Sequence, residues 1–168
     1  MNYKQLMIKD IQDLYQDELE QARQLPKLAS MVSNDSLRAG FEQHASETQQ
    51  QILRLQQVLD TVGEPAGGDG RVTPGVHGLV LEALEKSKEV QDPILRDLEI
   101  IAAAQKMEHY EMACYGTARA MARTAGFDEA ARLLQTTLEE EEAADRRLTD
   151  LALPIHKEAA EKDPTVEH

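Results

Sequence analysis

Apolar residues recur every three to four positions along most of the chain, in long runs interrupted at a few points. From Tyr3 to Val32 the stripe Met7, Ile11, Leu14, Ala22 and Leu25 has helical spacing, with Pro26 expected to kink the helix. "SNDS" (Ser33 to Ser36) reads as a loop and N-cap, after which Leu37, Phe41, Thr48, Leu55 and Val62 carry a second helix to a stop at Gly63. "EPAGGDGRVTPG" is the single linker-like stretch, followed by a shorter helix from about Val76 to Val90. Asp92-Pro93 places an N-cap before a proline at the first helical position and opens a helix ending at Gly126. A last helix starts after Asp128 and is predicted to stop at Pro154. No alternating apolar and polar run suggests a strand.

Short connections make two antiparallel hairpins, and the roughly 30 residues between them are enough to cross from one end of a bundle to the other. The expected fold is therefore all-α: a ferritin-like four-helix bundle with one long crossover carrying an extra short helix. Residues 1–153 form the expected bundle and 154–168 a charged tail, frayed or loosely docked.

Composition agrees with helix and narrows the partners. Aromatic residues make up only 4 % of the 168 residues, while 31 acids against 18 bases leave a formal charge of -13. Such a chain is repelled by phosphate backbones and anionic lipid, so neither nucleic acid nor a membrane surface is expected as a partner. One cysteine, Cys114, rules out an internal disulfide. The opening "MNYKQLMIKD" holds no apolar stretch suited to a signal peptide, and nowhere do about 18 apolar residues follow one another. The expected location is the cytoplasm.

Every long helix interrupts its apolar stripe with metal-ligating side chains. Glu18 lies mid-stripe on the first helix, His44 and Glu47 on the second, Glu108 and Glu111 on the third, and Glu141 and Asp145 on the fourth. Their heights agree: Glu111 and Glu141 are equidistant from Gly126, and Glu108 and Asp145 nearly so. Glu18 with Glu47 or His44 centres within a few residues of the first turn. Six carboxylates and an imidazole at one level of a helical interior need compensation, because unpaired buried charge costs several kcal/mol. Lys106, Arg146 and Arg147 fall off the stripes, so no basic side chain is expected among them. Two divalent ions meet the need, and oxygen-rich ligation with one imidazole points to iron first and manganese second. Glu140 is the alternative to Glu141 within "EEEE", and Tyr115 is either a hydrogen-bond partner of a ligand or an ordinary core tyrosine.

At these residues the chain resembles the ferritin-like YciE/YciF family of bacterial stress proteins. The resemblance rests on "LYQDELEQARQLPKLA", "FEQHASETQQQILRL", "AQKMEHYEMACYGTARAMA" and "LLQTTLEEEEAADRRLTDLA", in order over nearly the whole chain. It implies a ferritin-like fold, often a homodimer, with a di-metal centre to which Glu18, His44, Glu47, Glu108, Glu111 and Glu141 correspond. The wider ferritin-like scheme takes a Glu-x-x-His pair from each of two helices. Here the pairs read His-x-x-Glu, Glu-x-x-Glu and Glu-x-x-x-Asp, and Ala144 stands where a histidine is expected after Glu141.

Two functional readings follow. In one the protein is a di-metal carboxylate oxidoreductase of the stress response, handling metal or a small oxidant such as oxygen or peroxide. In the other it is a non-catalytic dimeric stress or interaction protein whose metal site is structural or vestigial. A DNA-protecting mini-ferritin is opposed by the acidic charge, and a hydrolase by the lack of a nucleophile motif.

Overall fold

A computed structural model describes residues 1–166; Glu167 and His168, the end of the expected tail, lie outside the described residues. Five helices follow in order: α1 (Tyr3–Met31), α2 (Asp35–Val62), α3 (Pro74–Glu89), α4 (Pro93–Thr124) and α5 (Asp128–Lys162). No strand occurs among the described residues.

The boundaries have local causes. Asn34 caps α2 by accepting from Leu37 N at 3.0 Å, and Asp92 caps α4 by accepting from Ile94 N and Leu95 N behind Pro93. Gly63 ends α2 in the left-handed region (φ 79°), where a side chain would be strained. Buried Asp97 ties down the α1–α2 turn, accepting from Ser33 N, Ser33 Oγ and Asn34 N.

Pro154 does not stop α5, contrary to the sequence expectation. The helix continues to Lys162 because Ile155, 3 % exposed, packs with Leu25, Phe41, Ile101 and Leu148. Burial of that side chain, worth roughly 1.5–3 kcal/mol, offsets the lost backbone hydrogen bond at the proline. α1 likewise stays one helix through Pro26.

Contacts run α1 to α2, α2 to α5, α5 to α4 and α4 back to α1, so the four long helices close a ring, with α3 laid against α4 and touching α1. The start of α3 is pinned twice: Thr73 donates from N and Oγ to Asp17 on α1, both at 2.8 Å, and its hydroxyl meets Tyr110 of α4 at 2.9 Å. A Cβ at Gly75 would lie 2.5 Å from the Tyr110 ring, so only glycine allows this approach.

The interior has two apolar clusters. One holds Met7, Ile11, Leu14, Leu55, Leu59, Ala118 and Leu134; the other holds Leu25, Ala29, Phe41, Ile100, Leu148 and Ile155. Each long helix contributes buried polar residues to a middle layer, at positions 17–21, 44–51, 108–111 and 137–141.

Candidate metal centre

Helical periodicity delivers at least one acid or imidazole from each of the four long helices to this middle layer. Glu18 (α1), His44 (α2), Glu108 and Glu111 (α4) and Glu141 (α5) are all at most 5 % exposed. Donor atoms of His44, Glu108 and Glu141 come within 4.8 Å of one another. Glu18 and Glu111 face the same interior, where the Glu18 charge helps to raise Glu111 and that of Glu108 helps to raise Glu18.

Only half of this polar surface has a protein partner. Tyr115 donates to Glu18 Oε1 at 2.6 Å, Gln51 Nε2 to Glu141 Oε1 at 2.5 Å, and Gln21 Nε2 to Glu111 Oε1. The second oxygens of Glu18, Glu108, Glu111 and Glu141 have no hydrogen-bond partner. His44 Nε2 stands 3.2 Å from Glu108 Oε1, yet neither ring nitrogen makes a well-directed hydrogen bond. Four orphaned carboxylate oxygens and an imidazole turned inward are costly unless a cation draws on them.

The electrostatics express the same strain. Burial, then the charges of Glu18, Glu141 and Glu108, pushes Glu111 well above the carboxylate range. Burial together with Glu18 and Glu108 does the same to Glu141. Glu18 is raised to about 7 by burial, although Tyr115 and His44 oppose the rise. Burial alone would lower His44, but Glu108, with help from Glu47 and Glu111, outweighs it and holds the imidazole at about 10. The Tyr115 hydroxyl is pushed well above its usual value, first by burial, and so stays a proton donor toward Glu18.

Glu47 and Asp145 lie at the edge of the layer. Glu47 is held down at about 2, mainly by His44, whose Nδ1 is 3.5 Å away; Gln43 and Arg147 also bind it. Asp145 accepts from Gln105 Nε2 at 3.2 Å and lies 3.4 Å from the exposed His109. Neither belongs to the three-residue cluster. Glu140 is paired with Arg54 in a two-pronged contact at 2.7 and 2.8 Å and takes only a longer contact, 3.3 Å, from Gln51 Nε2, so Glu141 is the fully buried acid of its run.

The sequence reading needs correction on the basic and amide side chains. Arg147, placed off the stripes, closes on Glu47, and Arg54 covers Glu140. Gln21 is buried where Ala22 was placed on the stripe, and Ala22 is half-buried. Gln21 and Gln51 were passed over; their one legible signal is that each follows an inward acid's position by a helical turn, Gln21 after Glu18 and Gln51 after Glu47.

With this geometry in view, the chain was compared with known proteins. Residues 2–161 match the family model "Domain of unknown function (DUF892)". The chain belongs to that family. It is 40 % identical over 153 residues to Protein YciF of Escherichia coli, covering 90 % of this chain and 92 % of that one. The crystal structure of the E. coli stress protein YciF superposes with a TM-score of 0.89 at 38 % identity, over 94 % of this chain and 98 % of that one. YcfI of Rhodopseudomonas palustris, for which a structural role has been proposed, matches with a TM-score of 0.85 at 38 % identity, over 89 % and 94 %. A Xanthomonas campestris protein at 22 % identity shares the fold, with a TM-score of 0.72. This DUF892 chain is thus YciF-like along its length, and no helix among its described residues is long and apolar enough to cross a membrane.

Proposed function

We propose that the ring of four long helices is a ferritin-like four-helix bundle built to hold two divalent ions, iron first and manganese second, for stress-related handling of metal or a small oxidant. The observation that carries this reading is the set of four buried carboxylates, each with one unpartnered oxygen, around an inward imidazole. Four carboxylates balance two divalent charges, and hard oxygens with a single nitrogen suit iron or manganese. Glu18, His44, Glu108, Glu111 and Glu141 would hold the ions. Glu47 and Asp145, also candidates from the sequence, are within reach only if their side chains turn inward from Arg147 and Gln105.

When bound, such ions supply one- and two-electron chemistry toward oxygen or peroxide. The chain's own contribution is orientation and exclusion of water. Tyr115, Gln51 and Gln21 each fix one oxygen of a ligand carboxylate and leave the other free. The two apolar clusters close off the layer toward either end of the bundle.

The second reading is a non-catalytic homodimeric stress or interaction protein with a structural or vestigial site. It is favoured by the internal donors that already satisfy one oxygen of Glu18, Glu111 and Glu141, and by the structural role proposed for YcfI. Metal content by plasma mass spectrometry, on untagged protein prepared without chelator, separates these. Close to two iron or manganese ions per chain, lost in Glu18→Ala and Glu111→Ala, supports the di-metal reading. A folded chain that stays metal-free after reconstitution overturns it, whereas bound metal without turnover of peroxide or oxygen favours the second reading.

A further inference from the structure

We propose that a cleft between α2 and α5 admits a small neutral molecule to a coordination position beside His44 and Glu108 that no side chain of this protein fills. This rests on the metal reading above. The cleft has a volume of about 450 Å³ and is open at the surface. Its floor is His44 and Glu108, and its walls include Phe41, Ala144, Leu148 and Leu151.

Three observations converge on it. First, Glu108 Oε2 has no partner and neither His44 nitrogen makes a well-directed hydrogen bond, Nε2 standing 3.2 Å from Glu108 Oε1 and Nδ1 3.5 Å from Glu47, although His44 is 5 % and Glu108 2 % exposed, and both line this cavity. Second, Ala144 is buried one helical turn after Glu141 and lines the same cavity. In the Glu-x-x-His scheme that position carries an imidazole ligand. Alanine gives up the ligand and leaves room for one from outside. Third, the charges at the mouth select against ions. Arg147 is already paired with Glu47, Asp150 adds negative charge, and the whole chain carries -13. An anion is repelled over most of the surface, and a large cation meets apolar walls. A neutral molecule the size of dioxygen or hydrogen peroxide meets neither obstacle.

The cleft is kept open by small residues on both helices. Ala39 and Gly40 on α2 and Ala144 on α5 line it, and a Cβ at Gly40 would lie 3.0 Å from Leu151 Cδ1 across the cleft. Larger side chains here narrow the passage without replacing any of the candidate metal ligands.

Nitric oxide, a neutral diatomic that binds iron(II), is a suitable probe. Anaerobic iron(II)-loaded protein is mixed with it in stopped flow, and the bound species is read by electron paramagnetic resonance. Ala144→Leu and Leu151→Trp each fill the cleft from its α5 wall, while Ala113→Leu, in a separate cavity beside Cys114, serves as the control. The expected result is nitric oxide binding by the native chain, slowed at least about tenfold in both cleft variants at unchanged iron content and helicity, and unchanged in the control. Iron-loaded native protein that binds no nitric oxide overturns the inference, as do rates within about twofold of native in whichever cleft variants fold. A chain that takes up no iron fails earlier, at the metal reading itself.

Discussion

Tyr115 shows how a single buried group divides its work between packing and chemistry. Its ring is fully buried in the apolar cluster, and its hydroxyl donates to Glu18 Oε1 at 2.6 Å. Tyr115→Phe keeps the ring and removes the donor, so Glu18 Oε1 joins Oε2 in having no protein partner. The expected loss is about 1–3 kcal/mol in chelated protein, because a buried acceptor left unsatisfied bears its desolvation cost in full. With metal bound the loss should shrink, since the ion satisfies the carboxylate. Urea denaturation of both forms measures it, and equal losses with and without metal would count against Glu18 as a ligand. Tyr115 had two readings in the sequence, ligand partner or core tyrosine. The fold makes it both, because α4 brings position 115 beside Glu18 of α1.

At the scale of the element, α5 was the helix the sequence misjudged. Proline ends a helix when nothing compensates for its missing N–H, and the residues after Pro154 are mostly charged, so a stop was the reasonable reading. What compensates is Ile155, buried against side chains from α1, α2 and α4 that are far away in sequence. Pro154 itself is exposed, so its ring adds nothing to the core. Pro154→Ala should therefore stabilise the protein by about 1–3 kcal/mol, by restoring one backbone hydrogen bond and helix propensity. Thermal unfolding checks it, and a lower melting temperature would mean that the ring has a packing role. Most other boundaries were legible because Asn34, Gly63 and Asp92-Pro93 act through bonds within a few residues of themselves.

For the whole molecule, the acid layer sets how stability responds to pH and metal. Without metal, Glu18 is raised from 4.5 to about 7 and His44 from 6.5 to about 10, and Glu111 and Glu141 are raised as well. A raised pKa means that the folded state holds its proton more tightly than the unfolded state does. The contribution is complete below the unfolded value and is lost as pH rises through the folded one. Glu47, lowered from 4.5 to about 2, acts oppositely, but only in acid below that window. Chelated protein should therefore lose stability as pH rises from 4.5 to about 7 with Glu18 and from 6.5 to about 10 with His44, while manganese-loaded protein gains it, because protons compete with the ion for the same ligands. Paired urea titrations decide the matter; chelated protein that becomes more stable toward alkaline pH would contradict the crowded-acid account.

The sequence by itself determined the helices, the hairpin turns and the level at which Glu18, His44, Glu108, Glu111 and Glu141 lie, because a helix of fixed pitch turns residue spacing into face and height. It could not separate these five from Glu47 and Asp145, which differ from them by a fraction of a turn and by what stands opposite. Only the tertiary structure decided that Arg147 and Gln43 hold Glu47, that Gln105 holds Asp145, and that Gln21, Gln51 and Tyr115 each cover one carboxylate oxygen. It alone placed Ala144 on a cleft that reaches His44 and Glu108. Periodicity describes one helix at a time, whereas a partner or a cavity exists only once helices distant in sequence have packed.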